Sequence, residues 1–135
     1  MSRTVFVVDG VIMADMKAKQ IDEIPFYQGP NAIPGIRFHA AARELGVTAW
    51  GMNVLEIEAG CAGHPEHDHK KDGQEEVYVV LKGSGTMDVG GEHLEMREGT
   101  LVRVGPSTRR KILPGPQGIT VLAIGATPGQ AYKPR

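Results

Sequence analysis

From residue 36 onward, short runs of β-branched and aromatic residues are separated by turn residues at close intervals. The 135-residue chain contains 18 glycines and 9 prolines, which indicates many short elements joined by tight turns. The clearest turn is Gly90-Gly91, because two glycines accept the positive φ angles of a two-residue hairpin. Roughly eight strands spaced in this way predict an all-β fold, an antiparallel double-sheet barrel.

The predicted strands cover residues 4–8, 36–41, 47–57, 76–81, 86–89, 92–96, 101–104, 109–113 and 119–124. Pro114-Gly115-Pro116 is expected to end the strand 109–113. Residues 43–46 are interpreted as a turn or, alternatively, as part of a helical turn over 40–45. Residues 14–24 have a helix-forming composition but only weak helical periodicity.

These signals predict a division of the chain into three parts. Residues 1–35 form an N-terminal strand and an irregular extension packing on the barrel, since three prolines interrupt 25–35. Residues 36–125 form the barrel, and residues 126–135 form a surface tail. No internal repeat or second domain is visible.

Charge and composition exclude several classes of partner. The formal net charge of −1 predicts neither a nucleic acid nor an anionic membrane surface as a partner. No segment approaches the roughly 18 apolar residues of a membrane span. The N-terminal run 5–8 is interpreted as a strand and not as a signal peptide, and the single cysteine, Cys61, cannot form an internal disulfide. A soluble cytoplasmic protein is therefore expected.

The segment His67-Asp68-His69 carries the strongest chemical signal. Two histidines one residue apart on an extended segment point to the same side. Glu76 opens the strand 76–81, and a carboxylate on a facing strand would complete a facial ligand set. This set suits one divalent transition metal ion, Fe, Mn, Ni or Zn, and leaves coordination positions open. On spacing alone, a surface loop rich in histidine and charge explains the pattern equally well.

The spacing of Gly60, His67, His69, Glu76 and Gly83 resembles the first motif of the cupin family of small jelly-roll barrels. The spacer 70–75 is about two residues longer than usual in that family, and the distance to Gly83 selects Glu76 over its neighbour Glu75. The resemblance covers about residues 47–125. It implies a jelly-roll fold with a metal ion at His67, His69 and Glu76, and it points to a homodimer.

The second cupin motif is only partly present. Gly99 matches, and Gly105-Pro106-Ser107 occupies the place of a turn, but Arg110 takes the position of the fourth ligand, a histidine, and Pro114 that of an asparagine. An inward-pointing Arg110 needs an anionic partner, which is either Glu76 or a substrate carboxylate or phosphate. The alternative is a register shift that leaves Arg110 exposed beside Arg109.

The remaining candidate residues surround this motif. Tyr78 lies two residues beyond Glu76 on the same strand face, and with Arg110 it is a predicted substrate-binding residue. His64 is either an additional metal ligand or, as we rather expect, an exposed loop histidine. His93 is expected at the surface, and a reactive thiol at Cys61 is not favoured.

The resulting functional hypothesis is a metal-dependent cupin acting on an anionic small molecule, with dioxygenase-like or isomerase/lyase-like chemistry. One alternative is a non-catalytic small-ligand binding or sensing module. The other is a metal-free structural dimer held by a Glu76–Arg110 ion pair. A homodimer is expected in addition because the outer face of strand 76–81 and the strand 5–8 are apolar.

Overall fold

The computed structural model of the protein describes residues 15–133 and two short strands that precede them. These are β1 (Val7–Val8) and β2 (Val11–Ile12), which pair antiparallel. The predicted strand 4–8 therefore lies only partly within the described residues. The predicted division into 1–35, 36–125 and 126–135 stays a prediction.

The remaining strands form one antiparallel sheet, which confirms the predicted all-β class. Its members are β3 (Ile36–His39), β4 (Gly51–Ile57), β5 (Glu75–Val89), β6 (Glu92–Arg97), β7 (Leu101–Val104) and β8 (Arg110–Ala126). Their spatial order is β3-β4-β8-β5-β6, and β7 also pairs with β5. Among the described strands, β3, β6 and β7 each pair with one strand only, so the hydrogen bonds do not close into a complete ring.

The hairpin between β5 and β6 forms where the sequence predicts it. Gly90 and Gly91 have φ angles of 56° and 85°, and Val89 pairs directly with Glu92. Both turn residues thus occupy conformations that favour glycine.

The two central strands are longer than predicted. β8 continues through Pro114-Gly115-Pro116, but its pairing with β5 passes from Gly83–Ile119 to Gly85–Pro114. Residues 115–118 therefore leave the ladder as a bulge. The proline-containing segment interrupts the pairing of one long strand and does not end it, so that part of the prediction was wrong.

The segment between β3 and β4 contains the helix α1 (Ala41–Leu45), which ends at Gly46 with a φ of 76°. Of the two alternatives for this segment, the helical turn over 40–45 is thus confirmed and the simple turn over 43–46 is not. Within the described part of 14–24, the only helical element is one 3₁₀ turn, Ile21–Glu23. Within residues 15–133, no helix is long and apolar enough to cross a membrane.

The inner face of the sheet carries the hydrophobic core. Its buried members are Leu55, Ile57, Tyr78, Val80, Met87, Met96, Val104, Ile112, Ile119, Val121 and Ala123. They alternate along each strand, because successive side chains point to opposite faces. A smaller cluster of Ile24, Ala41 and Val54 joins the N-terminal segment and α1 to the outer face of β4.

Candidate metal centre

The histidine segment lies alongside the beginning of β8. His67 and Arg110 form an antiparallel bridge in which each backbone N–H donates to the other residue's carbonyl, at 3.0 and 2.9 Å. The N–H of His69 donates to the carbonyl of Pro106 at 2.8 Å. Residues directly opposite in such a bridge share a face. The bridge therefore places Arg110 on the same side as His67.

Three predicted ligands converge at this end of the core. His67, His69 and Glu76 each offer one ligand atom, and these atoms lie within 4.8 Å of one another. His69 Nε2 is 2.9 Å and His67 Nε2 is 3.9 Å from Glu76 Oε1. Glu75 points outward, where Arg103 donates to its carboxylate at 2.7 Å. The structure thus brings the HxH pair together with Glu76 and not with Glu75.

Both imidazoles are held at Nδ1, and each turns its Nε2 toward Glu76. His67 Nδ1 lies 3.0 Å from the Pro65 carbonyl, and His69 Nδ1 lies 3.1 Å from the Asp72 carboxylate. The Pro65 carbonyl only accepts, so Nδ1 of His67 carries a hydrogen and its neutral ring has its lone pair on Nε2. His69 contacts a carboxylate at each ring nitrogen, Asp72 at Nδ1 and Glu76 at Nε2, so a metal ion would take the place of the hydrogen that Nε2 donates to Glu76. Metal-ligating histidines commonly have this arrangement. The donor set therefore fits a divalent transition metal ion.

Glu76 is held as a carboxylate. Burial raises its pKa, but the His67 imidazole, the Tyr78 hydroxyl and the charges of His69 and Arg110 outweigh burial, so the pKa of Glu76 lies below its ordinary value. His67 acts electrostatically, since 3.9 Å exceeds hydrogen-bond distance. Glu76 in turn raises the pKa of His67 against the opposing effect of burial.

Tyr78 is part of the support of Glu76. Its hydroxyl donates to Glu76 Oε1 at 2.7 Å, and its ring is buried in the core. Burial and the neighbouring Glu76 charge raise the pKa of Tyr78, which keeps the hydroxyl protonated as a donor. The predicted substrate-binding role of Tyr78 stays a prediction.

Arg110 is completely buried at 0% exposure, so the alternative of an exposed side chain is wrong. Its Nη2 lies 3.8 Å from Glu76 Oε1 and donates to the Gly105 carbonyl at 3.2 Å, while Nη1 donates to the His67 carbonyl at 3.5 Å. Its Nε has no hydrogen-bond partner among the described residues. The predicted contact of Arg110 with a substrate stays a prediction, and here the guanidinium faces Glu76 and two backbone carbonyls.

His64 is also buried, at 4% exposure, so the expectation of an exposed loop histidine was wrong. Its Nδ1 accepts the Ile112 N–H at 2.9 Å, and its ring packs edge-on against His67 with the centroids 5.6 Å apart. A neutral ring that accepts at Nδ1 carries its hydrogen on Nε2. In this tautomer neither nitrogen offers a lone pair to a metal ion, and His64 lies outside the three-residue cluster.

The protonation of His64 is disfavoured. Burial, followed by the charge of His67, lowers the pKa of His64 to about 4. The ring therefore stays neutral at physiological pH and ties the histidine segment to β8.

The other two histidines lie away from this cluster. The buried His39 places Nδ1 2.7 Å from the Ile24 carbonyl and Nε2 2.8 Å from Glu56. His93 is exposed, as predicted, and contacts Asp88.

A pocket of about 430 Å³ adjoins the cluster, and His69 and Glu76 form part of its wall. Among the described residues that line it, Arg43 is the only arginine or lysine and Glu76 the only carboxylate. Neutral polar side chains from separate elements complete the wall, among them Thr48, Asn53, Gln74 and Tyr132. Sequence reasoning missed these residues because no local pattern links them, and only strand pairing and the return of the tail bring them together.

The chain matches the family model of the cupin domain, Cupin_2, over residues 53–123, which is more than half of its length. It therefore belongs to the cupin family, as the sequence resemblance predicted. No curated protein matches the chain.

Solved structures show the same fold. A cupin protein from Bacteroides fragilis has a TM-score of 0.61 and 23% identity, with 82% of this chain and 91% of that chain covered. A predicted oxalate decarboxylase from Thermotoga maritima has a TM-score of 0.65 and 18% identity, covering 80% and 96%. A cupin-superfamily sugar phosphate isomerase from Silicibacter pomeroyi has a TM-score of 0.64 and 15% identity, covering 79% and 73%. At these identities the likeness shows a shared fold, and a fold alone does not identify a reaction.

Proposed function

We propose that this protein is a cupin that binds one divalent transition metal ion through His67, His69 and Glu76 and acts on an anionic small molecule. The observation that carries the proposal is the convergence of two imidazole Nε2 atoms on an ionised carboxylate, with both Nδ1 atoms already engaged. Iron, manganese, nickel and zinc all suit such a nitrogen and oxygen ligand set.

The adjoining pocket supports an anionic substrate. Its described wall contains one arginine, Arg43, and one carboxylate, Glu76, and is otherwise formed by neutral polar and apolar side chains and His69. His67, His69 and Glu76 would hold the metal ion beside this pocket, and the ion would supply Lewis-acid chemistry and open coordination positions. Two of the similar structures bear names of enzymes for anionic small molecules, oxalate and a sugar phosphate. A dioxygenase-like or isomerase/lyase-like reaction remains our proposal for this chain.

The protein's own residues would prepare the site. His67 and His69 are oriented by Pro65 and Asp72, while the Tyr78 hydroxyl fixes one oxygen of Glu76. This preorganisation limits the conformational entropy lost when a ligand binds.

A metal-free barrel is the second candidate. The guanidinium of Arg110, 3.8 Å from Glu76 Oε1, supplies a cation where the family has a fourth ligand. In this version the Glu76–Arg110 pair is structural, and the pocket binds a small ligand without catalysis. We also propose a homodimer, which is compatible with either candidate.

Metal analysis separates these candidates. Protein purified without chelator and then loaded separately with Fe(II), Mn(II), Ni(II) or Zn(II) should hold about one equivalent of at least one of them. A His67→Ala/His69→Ala variant should lose it, because two of the three ligands are gone. His93→Ala is the matched control, since it removes an exposed imidazole. A content near zero in wild-type protein with all four metals would refute the proposed metal site.

A further inference from the structure

We infer that the pocket beside the candidate metal centre binds a polyhydroxylated carboxylic acid, a small acid whose carbon chain carries several hydroxyl groups. The inference deepens the proposed function and rests on it, because it takes this pocket as the place where the substrate lies. Two features of the pocket wall carry it. One is a pair of glycines next to Glu76, and the other is a set of three uncharged polar side chains, those of Asn53, Gln74 and Tyr132.

The two glycines lie in one row with the ligand carboxylate. Gly51 of β4 pairs with Gly125 of β8, and Gly125 pairs with Glu76 of β5. Residues directly opposite each other on paired strands share a face of the sheet. Neither glycine has a positive φ angle, so the backbone conformation does not require glycine at either position.

The lack of a side chain at these positions leaves space beside the ligand carboxylate. A Cβ at Gly125 would lie 3.0 Å from Gln74 Oε1 and 3.1 Å from Glu76 Cγ, and a Cβ at Gly51 would lie 2.8 Å from the Tyr132 hydroxyl oxygen. Glycine inside a strand often marks a place where a ligand approaches the backbone closely. The pocket of about 430 Å³ has the size of a small-molecule site, and the two glycines keep it open next to Glu76.

The three polar side chains come from separate parts of the chain. Asn53 belongs to β4, Gln74 directly precedes β5, and Tyr132 lies in the tail that follows β8, and all three are half-buried. Within the described part of the chain, none of the three side chains has a hydrogen-bond partner, although the backbone N–H of Gln74 donates to Asp72. Their hydrogen-bonding groups are therefore available to a molecule in the pocket.

The chemistry of these groups indicates what that molecule carries. A side-chain amide offers two donors and an acceptor, and a phenol offers one donor and also accepts. An alcohol hydroxyl likewise donates and accepts, so it matches such groups without bringing a second charge into the pocket. The acid group of the ligand would be held at the proposed metal site, and its hydroxyl groups would be held by the neutral wall.

The test compares gluconate with hexanoate as probe ligands. Both have the same charge and the same carbon chain length, and they differ in the hydroxyl groups. Binding is measured by isothermal titration calorimetry with wild-type protein in Mn(II)-loaded and in metal-free form. In both forms gluconate should bind at least about tenfold more tightly than hexanoate, since each hydrogen bond to a neutral group tightens binding by about two- to tenfold.

Three variants of nearly unchanged shape show whether the pocket wall is responsible. Asn53→Leu, Gln74→Met and Tyr132→Phe each remove hydrogen-bonding groups, so each should weaken gluconate binding about two- to tenfold and change hexanoate binding less than about twofold. Gln117→Met is the matched control, because it removes an exposed amide that does not line this pocket, and it should behave like wild type. The hydroxyl next to the carboxylate of gluconate can chelate a metal ion, but a preference that arose from chelation alone would survive all three substitutions.

The outcomes separate this inference from the proposed function. Equal affinity for the two probes, no saturable binding of gluconate in either form, or wild-type affinity for gluconate in all three variants would overturn the inference. The metal content of the same wild-type samples judges the metal site independently. A preference for gluconate that the variants lose, in a protein that takes up none of the four metals, would support the ligand class and overturn the proposed metal site.

Discussion

Acidification should destabilise this protein through His64, whose imidazole is buried and neutral in the folded state. In the unfolded chain the ring is exposed to water and has an ordinary pKa of about 6.5. In the folded protein burial lowers the pKa of His64 to about 4. Between these values the unfolded state binds the extra proton and the folded state does not, so the free energy of unfolding falls as the pH falls. The stabilisation is complete above about pH 6.5 and is lost progressively toward pH 4.

The magnitude follows from the two pKa values. Their separation corresponds to about 3 kcal/mol in total, since a tenfold change in proton affinity is about 1.4 kcal/mol. Between pH 7.5 and pH 4.5, where the folded ring is still mostly neutral, His64 should therefore remove about 2–3 kcal/mol from the free energy of unfolding. Little of this is lost to solvent screening, because the residue is only 4% exposed.

The measurement is denaturant unfolding of metal-free protein at the two pH values. His64→Asn keeps an acceptor for the Ile112 N–H but cannot titrate, so its stability should fall by about 2–3 kcal/mol less than that of wild type over the same interval. His93→Asn is the control, because it removes an exposed histidine and should follow wild type. Identical pH dependence in wild type and His64→Asn would refute the assignment of a buried, neutral His64.

Two further predictions concern the sheet. The homodimer should use an apolar surface that includes Leu81 and Leu101, which are 40% and 71% exposed. Leu101→Glu should therefore convert the dimer to a monomer of 14.5 kDa in light scattering, and a wild-type protein that is itself monomeric would refute the dimer. Gly83→Ala should destabilise the fold by roughly 3 kcal/mol or more, because φ is 75° and a Cβ would lie 2.2 Å from the Gly118 carbonyl oxygen. Gly91→Ala, with a φ of 85° and no atom within 4 Å, should cost only about 1–2 kcal/mol in the same unfolding assay, and equal losses would show that the clash is unimportant.

Local signals were sufficient for much of the fold. A two-glycine hairpin depends on φ angles that the turn residues themselves determine, so Gly90-Gly91 could be interpreted without knowing the rest of the chain. Alternation likewise identified the inward face of β5, where Tyr78 and Val80 are both 2% exposed. The bulge between the Gly83–Ile119 and Gly85–Pro114 pairs was not predictable in the same way, because whether a proline ends a strand or leaves its ladder depends on the partner strand.

In the candidate metal centre too, local signals placed some residues correctly and long-range contacts determined the others. Sequence spacing could bring His67, His69 and Glu76 together, because alternation and motif distance both act over short range. The burial of His64 depends instead on the Ile112 N–H, which lies 48 residues away in sequence. The pocket wall, with Arg43 from α1 and Tyr132 from the tail, arises only from the tertiary arrangement.

Arg110 shows how one long-range contact decides between alternatives that the sequence leaves open. Alternation along β8 allows the side chain to point into the barrel or, after a shift of one residue, into solvent. The paired hydrogen bonds between His67 and Arg110, 43 residues apart, exclude that shift because they place both side chains on one face. The same contact puts a permanent positive charge 3.8 Å from the ligand carboxylate. A strand register therefore sets the electrostatics of the site.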